Sequence, residues 1–199
     1  MKFDDFKLFL PKYLSEEDQK KLFSELKSFP ENANDNFYSK FLMKQKNLFQ
    51  GDGFTAIQMP DHKNKDFKEV KGFLVSNTCD ANPSNTRLYP SFLMFAPIFD
   101  LKKYRELLEK KFNDKEKISQ HINAIQNQRA TSFFYLPKQS CLNECFVRMD
   151  MMFSMPASIY SIEKLCNNRL FVLSNLGHYV LLFKLSVHFS RVQEALKRA

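Results

Sequence analysis

Thr78-Cys79-Asp80 is the sharpest grouping of chemically capable residues in the chain. A thiol can serve as nucleophile or metal ligand, with His62 or His178 as its base, where an electropositive neighbourhood favours the thiolate. The same stretch also suits a turn in which Asn77 and Asp80 bond the backbone and Cys79 is a small buried filler. The turn with a buried Cys79 is the expectation. Cys141 and Cys145 have the spacing of half a zinc site that Cys166 or His121 would complete. Tetrahedral zinc usually draws on two close pairs, and only one exists, so reduced thiols at a hairpin are expected, with no metal and no cofactor.

Asp52 followed by Glu69-Val70-Lys71 has the order, acid and then acid-x-Lys, in which metal-dependent nucleases hold Mg²⁺ and activate water. Strand alternation puts Glu69 and Lys71 on one face. A solvated strand edge guarded by a lysine explains the same residues. Arg148 and Asp150 share a face of a late strand, with Arg87 and Arg129 as other cleft candidates; a same-face ion pair is the plainer account. Tyr89 and Tyr135 could stack bases, although with 22 Phe in the chain aromatic rings mainly mean core.

The elements that must position these groups follow from periodicity. Gly51-Asp52-Gly53 opens an extended segment, and the apolar runs at 54–59, 73–75 and 92–95 are too short for buried helices, so they read as strands of a small β-barrel core. Ahead of them, Ser15 precedes Glu16, Glu17 and Asp18, an N-cap followed by acids, and Leu22, Phe23, Leu26 and Phe29 recur at helical spacing. Pro30 ends that helix, and Phe37, Phe41, Leu42 and Leu48 suggest a second. Residues 1–50 are therefore expected to form a helical arm separate from a barrel domain over 51–199.

Within that domain, 60–66 reads as a polar loop between the first two strands, and 80–85 as a second turn region. One or two helices inserted at about 101–130 carry Tyr104, Leu107, Leu108, Phe112, Ile118, Ile122 and Ile125 on the inner side. Strands resume at 132–136, 145–153 and 169–173. Ser174 then caps a long terminal helix, apolar nearly all round at its start and basic at its end.

The formal net charge of +8 favours an acidic protein or nucleic acid as partner. Lys63, Lys65 and Lys68 around the first loop and Arg191, Lys197 and Arg198 in the last turns are the candidate nucleic-acid-binding residues. With no block of five like charges, a merely solvated basic surface fits as well. The N-terminus Met1-Lys2-Phe3-Asp4-Asp5 carries charge where a signal peptide needs an apolar run. The longest apolar stretch falls far short of the roughly 20 residues a bilayer span requires. A soluble cytoplasmic protein with reduced thiols is expected.

Gly51-Asp52 at a first strand, an apolar strand ending in Ser76, a strand ending in Ala96-Pro97-Ile98, then 145–153 and a closing helix resemble the MazF/PemK-like toxin family in order and texture. The resemblance implies an α+β fold: a small SH3-like or MazF-like antiparallel β-barrel with a helical arm, a helical insertion and a long C-terminal helix. The family's ribonucleases use an Arg before the second strand and a Ser or Thr after Pro-Ile; the corresponding places here hold Lys68 or Lys71, and Phe99. Phe99 cannot hydrogen-bond, so the resemblance argues for the fold and against RNA cleavage. It implies a non-catalytic module of a bacterial toxin-antitoxin or phage-defence system. The alternative is a ribonuclease with a site rearranged around Lys71, Asn77, Cys79, Asp80 and Arg148. A protein or nucleic-acid partner is expected, no membrane, and the homodimer is left open.

Overall fold

The computed structural model describes residues 15–27, 29, 36–61, 63–82, 85, 88–89, 91–139 and 142–190. Seven strands form one antiparallel sheet: β1 (Gly53–Asp61), β2 (Asp66–Leu74), β3 (Phe92–Asp100), β4 (Phe133–Leu136), β5 (Cys145–Arg148), β6 (Phe153–Pro156) and β7 (Arg169–Phe171). Among the described residues five α-helices accompany it: α1 (Glu16–Lys27), α2 (Leu101–Lys111), α3 (Lys115–Gln126), α4 (Ile162–Asn167) and α5 (Asn175–Ser190). The strand order is β4-β5-β3-β2-β1-β7, with β6 also on β3. Among the described residues no pairing joins β4 to β7, so the expected barrel is an open sheet.

Strand β3 organises the sheet because it is long enough to serve both halves. One edge pairs with β2; the other pairs with β6 near its start and with β5 near its end. The strand expected over 145–153 is therefore broken. Val147 faces Ile98 whereas Phe153 faces Phe95, and the offset is taken up by a 3₁₀ turn, Met149–Met151. The turn has a physical cause: the Met149 N–H donates to Ser132 O at 2.9 Å while the Met149 side chain is buried in the core.

Alternation assigns every strand residue to a face. On one face Phe73, Val75, Ala96, Ile98, Phe134, Leu136 and Val147 pack under Leu176, Val180 and Leu181 of α5. Leu22 enters the same core, with Leu26 and Phe29 against it, so α1 shares it with the sheet. On the opposite face Leu74, Leu93 and Phe95 meet Phe54, Ile57 and Leu165 of α4. Further along that face, Tyr135 and Phe146 are covered by Leu101 of α2 and by Ile118, Ile122 and Ile125 of α3. Each such side chain contributes roughly 1.5–3 kcal/mol on burial.

One expected helix does not form among the described residues. The second helix expected over 37–48 is only a 3₁₀ turn, Leu42–Lys44, because Phe37 and Leu48 bury into different cores and Phe41 faces solvent. The insertion does form two helices, each started by an aspartate: Asp100 accepts from the Lys103 N–H and Asp114 from the Lys117 N–H. Leu107 and Phe112, expected inside, are exposed. Ser174 caps α5 as expected, its Oγ accepting from the Gly177 N–H at 3.2 Å. The basic residues Arg191, Lys197 and Arg198 lie outside the described residues, as do His62, Arg87 and Cys141. No helix among those described is long and apolar enough to cross a membrane.

Candidate functional site

The Gly-Asp pair at the head of β1 is a locked joint. Gly51 adopts a left-handed φ of 92°, and a Cβ there would sit 2.5 Å from Leu173 Cδ1, so only glycine fits the turn. The turn drives Asp52 wholly inside, where Oδ2 accepts the Phe49 N–H at 3.0 Å and meets Arg169 Nη2 at 3.1 Å. Burial pushes the Asp52 carboxyl up, to about 7, against the downward pull of Arg169 and the Phe49 amide. Arg169 is itself buried, and it donates to the carbonyls of Leu42, Met43, Gln45 and Asn47. Asp52 thus holds a loop through Arg169. It does not join Glu69, which is exposed on β2, and no group of three His, Cys, Asp or Glu able to hold a metal occurs among the described residues. Arg169 gives little sign in the sequence, being a lone arginine after Asn167-Asn168 far from Asp52.

The loop after β2 is anchored from below. Gln50 donates from its backbone to Thr78 Oγ1 at 3.0 Å and from Nε2 to Val75 O at 2.8 Å. That orientation leaves Gln50 Oε1 as an acceptor, so His178 Nε2, 3.1 Å away, is its donor. Burial holds the His178 imidazole below its usual range. His178 is thus committed to Gln50 and serves no thiol. Asn77 does fix the turn, its Oδ1 accepting the Cys79 N–H at 2.8 Å, with the Asp80 N–H on Asn77 O. The expected burial of Cys79 is overturned, since its side chain is exposed. The reason is the turn itself, which spends the Cys79 backbone on Asn77 and Asn85 and points the residue away from the sheet. Two other thiols, Cys145 and Cys166, are held within the fold. Cys145 is buried and burial raises it to about 11, and Cys166 bonds Lys46 O.

Lys71 and Arg148 fall on opposite faces. Lys71 shares the parity of Phe73, whose face α5 covers, whereas Arg148 pairs with Phe133 on the face covered by α2 and α3. Asn77 lies beyond the end of β2. A site joining Lys71, Asn77 and Arg148 is not assembled.

Arg148 instead belongs to a different group. Its guanidinium forks onto Asp150 at 2.7 and 2.6 Å and lies 5.3 Å over the Phe133 ring. Tyr104 of α2 and His121 of α3 flank that ring, and the Tyr104 hydroxyl is 3.1 Å from His121 Nε2. Asp150 is held below the usual carboxylate range by its bond to Arg148. This surface combines a guanidinium, an imidazole and a phenol on one aromatic floor. The sequence hides it, because the four residues come from two helices and two strands. Tyr104 was visible only as an inner-face helical residue.

The β1–β2 hairpin carries the basic residues. Lys63, Lys65 and Lys68 are exposed, and none forms an ion pair among the described residues, although Lys68 lies in the field of Asp61. The acids of the turn are occupied: Asp61 accepts the Lys63 N–H and the Asn64 amide, and Asp66 accepts the Phe67 N–H. Phe67 is 54% exposed beside them. No known protein-family model matches this chain, and no curated protein matches it in sequence.

Proposed function

We propose that this protein is a non-catalytic binding module that engages an acidic partner through the lysines of the β1–β2 hairpin. The observation that carries the reading is that Lys63, Lys65 and Lys68 are exposed and form no ion pair among the described residues, beside an exposed Phe67. Exposed lysines beside an exposed ring suit a phosphate backbone with stacked bases. The Gly51-Asp52 joint supports a non-catalytic role, because its carboxylate is buried and paired. A MazF/PemK-like core is supported by the β1-β2-β3 meander that starts at this joint, and the bacterial, cytoplasmic toxin-antitoxin or phage-defence setting rests on that resemblance alone. The test is binding of labelled single-stranded RNA and DNA at low salt. Lys63→Glu with Lys65→Glu and Lys68→Glu should weaken binding more than about tenfold with the unfolding midpoint unchanged. Equal binding by the triple variant would overturn the reading.

A second reading, an endoribonuclease with a rearranged site, is favoured by the Tyr104–His121 hydrogen bond beside Arg148. An imidazole there can take a proton from a ribose hydroxyl while the guanidinium holds a phosphoryl oxygen. RNA cleavage in vitro that is lost in both His121→Ala and Arg148→Ala would select it, and intact RNA after prolonged incubation would dismiss it.

A further inference from the structure

We propose that the cleft between α2, α3 and the segment entering β5 binds a single nucleotide, its phosphate at a basic rim and an amino group of its base at the Glu144 carboxylate. The cleft encloses about 460 Å³, within the range of roughly 300–1,000 Å³ typical of small-ligand sites. Its lining carries both signs of charge: the acids are Glu144 and Asp100, whose carboxylate also caps α2. Lys102, Arg105 and Lys138 supply three cations, and Lys102 and Lys138 form no ion pair among the described residues. Arg105 is shared with Glu109 across one helical turn at 3.1 Å.

Glu144 is the polar group that fixes orientation. Its Oε1 accepts the Tyr135 hydroxyl and the Gln126 amide, the latter at 2.9 Å, and its backbone carbonyl accepts the Leu101 N–H at 3.0 Å. The carboxylate is therefore held rigid from the protein side. Its second oxygen has no hydrogen-bond partner among the described residues. A carboxylate only accepts, so the matching ligand group is an N–H or O–H donor. A bare phosphate would be repelled by Glu144, whereas a ligand with a donor at one end and an anion at the other satisfies both. Leu101 and Ile122 add apolar surface to the same lining, against which a flat ring can lie. A nucleotide whose base bears an exocyclic amine has this arrangement.

Calorimetric titration of the full chain with 5′-CMP, 5′-AMP, ribose 5-phosphate and inorganic phosphate tests the site. Either nucleotide should bind at least about tenfold more tightly than ribose 5-phosphate, because only the nucleotides carry the amine. Glu144→Gln should bring the nucleotides down to the level of ribose 5-phosphate. Lys102→Glu with Lys138→Glu, both exposed positions, should weaken all phosphate-bearing ligands about tenfold or more, and remains informative if Glu144→Gln fails to fold. Ribose 5-phosphate equal to the nucleotides, or no effect of the double lysine variant, would overturn the proposal. So would an absence of binding up to about 5 mM ligand. The cleft is built from elements other than the β1–β2 hairpin, so this site and the polyanion-binding reading can fail separately.

Discussion

At the scale of single residues, the charged groups that matter most to this chain are the buried ones. Arg169 neutralises Asp52 and holds four carbonyls of the 42–47 segment, so Arg169→Ala leaves a buried acid unpaired and the segment unanchored. The expected loss is about 3–5 kcal/mol in a chemical-denaturation experiment. A value under about 1 kcal/mol would show that the joint tolerates the loss. Lys184 makes the reverse case. It is buried in α5, donates to Gln128 O and Ala130 O at 2.6 and 2.7 Å, and burial lowers it to about 8 from 10.5. Between those two values the unfolded chain holds the extra proton, so this residue makes stability rise with pH. The difference in stability between wild type and Lys184→Met should show that slope between about pH 8 and 10.5, and a flat difference would remove the effect. Cys79, exposed on its turn, should react with a thiol reagent well before buried Cys145, with no change in fold. The sequence showed Asp52 and Cys79 as chemical groups but not their surroundings. The Asn77 turn is local and legible from its residues, whereas the exposure of Cys79 on it and the reach of Arg169 to Asp52 are set by tertiary placement.

At the scale of elements, periodicity located most of the strands and helices but not their interruptions. The strand read to end at Ala96-Pro97-Ile98 is the nine-residue β3, which runs on to Asp100 with Pro97 and Ile98 buried in it. The alternation of Phe146, Arg148 and Asp150 looked like one continuous strand. The buried Met149 breaks it, and no alternation pattern could reveal a register offset against β3. Helix α4 is only six residues and went unread. The docking of α5 was legible through its nearly uniform apolar character and the Ser174 cap, while the close approach that permits it was not. A Cβ on Gly177 would stand 2.4 Å from the Phe37 carbonyl oxygen, a backbone atom tied to the Ser174 N–H. Gly177→Ala should therefore cost about 1–3 kcal/mol despite a better helix propensity, read as a lowered unfolding midpoint. A stabilised variant would mean that α5 can slide on the sheet.

At the scale of the whole molecule, the sheet separates the candidate surfaces. Lys71 faces the side covered by α5, the Arg148 group and the nucleotide cleft lie with α2 and α3, and the β1–β2 hairpin carries its lysines beyond the core. Lys63, Lys65 and Lys68 form no ion pair among the described residues, although Asp61, Asp66 and Glu69 match them in charge along the hairpin. Each phosphate contact to a single strand contributes about 0.7 to the slope of log affinity against log salt, as counterions are released. Three engaged lysines therefore account for about 2 units of slope. Lys63→Gln with Lys65→Gln and Lys68→Gln should flatten the salt dependence of single-stranded RNA binding by about that amount, measured by fluorescence anisotropy across a salt series. A slope already shallow in the wild type would place the contact on Phe67 and stacking. A steep slope that persists in the variant would move the polyanion contact away from the hairpin altogether.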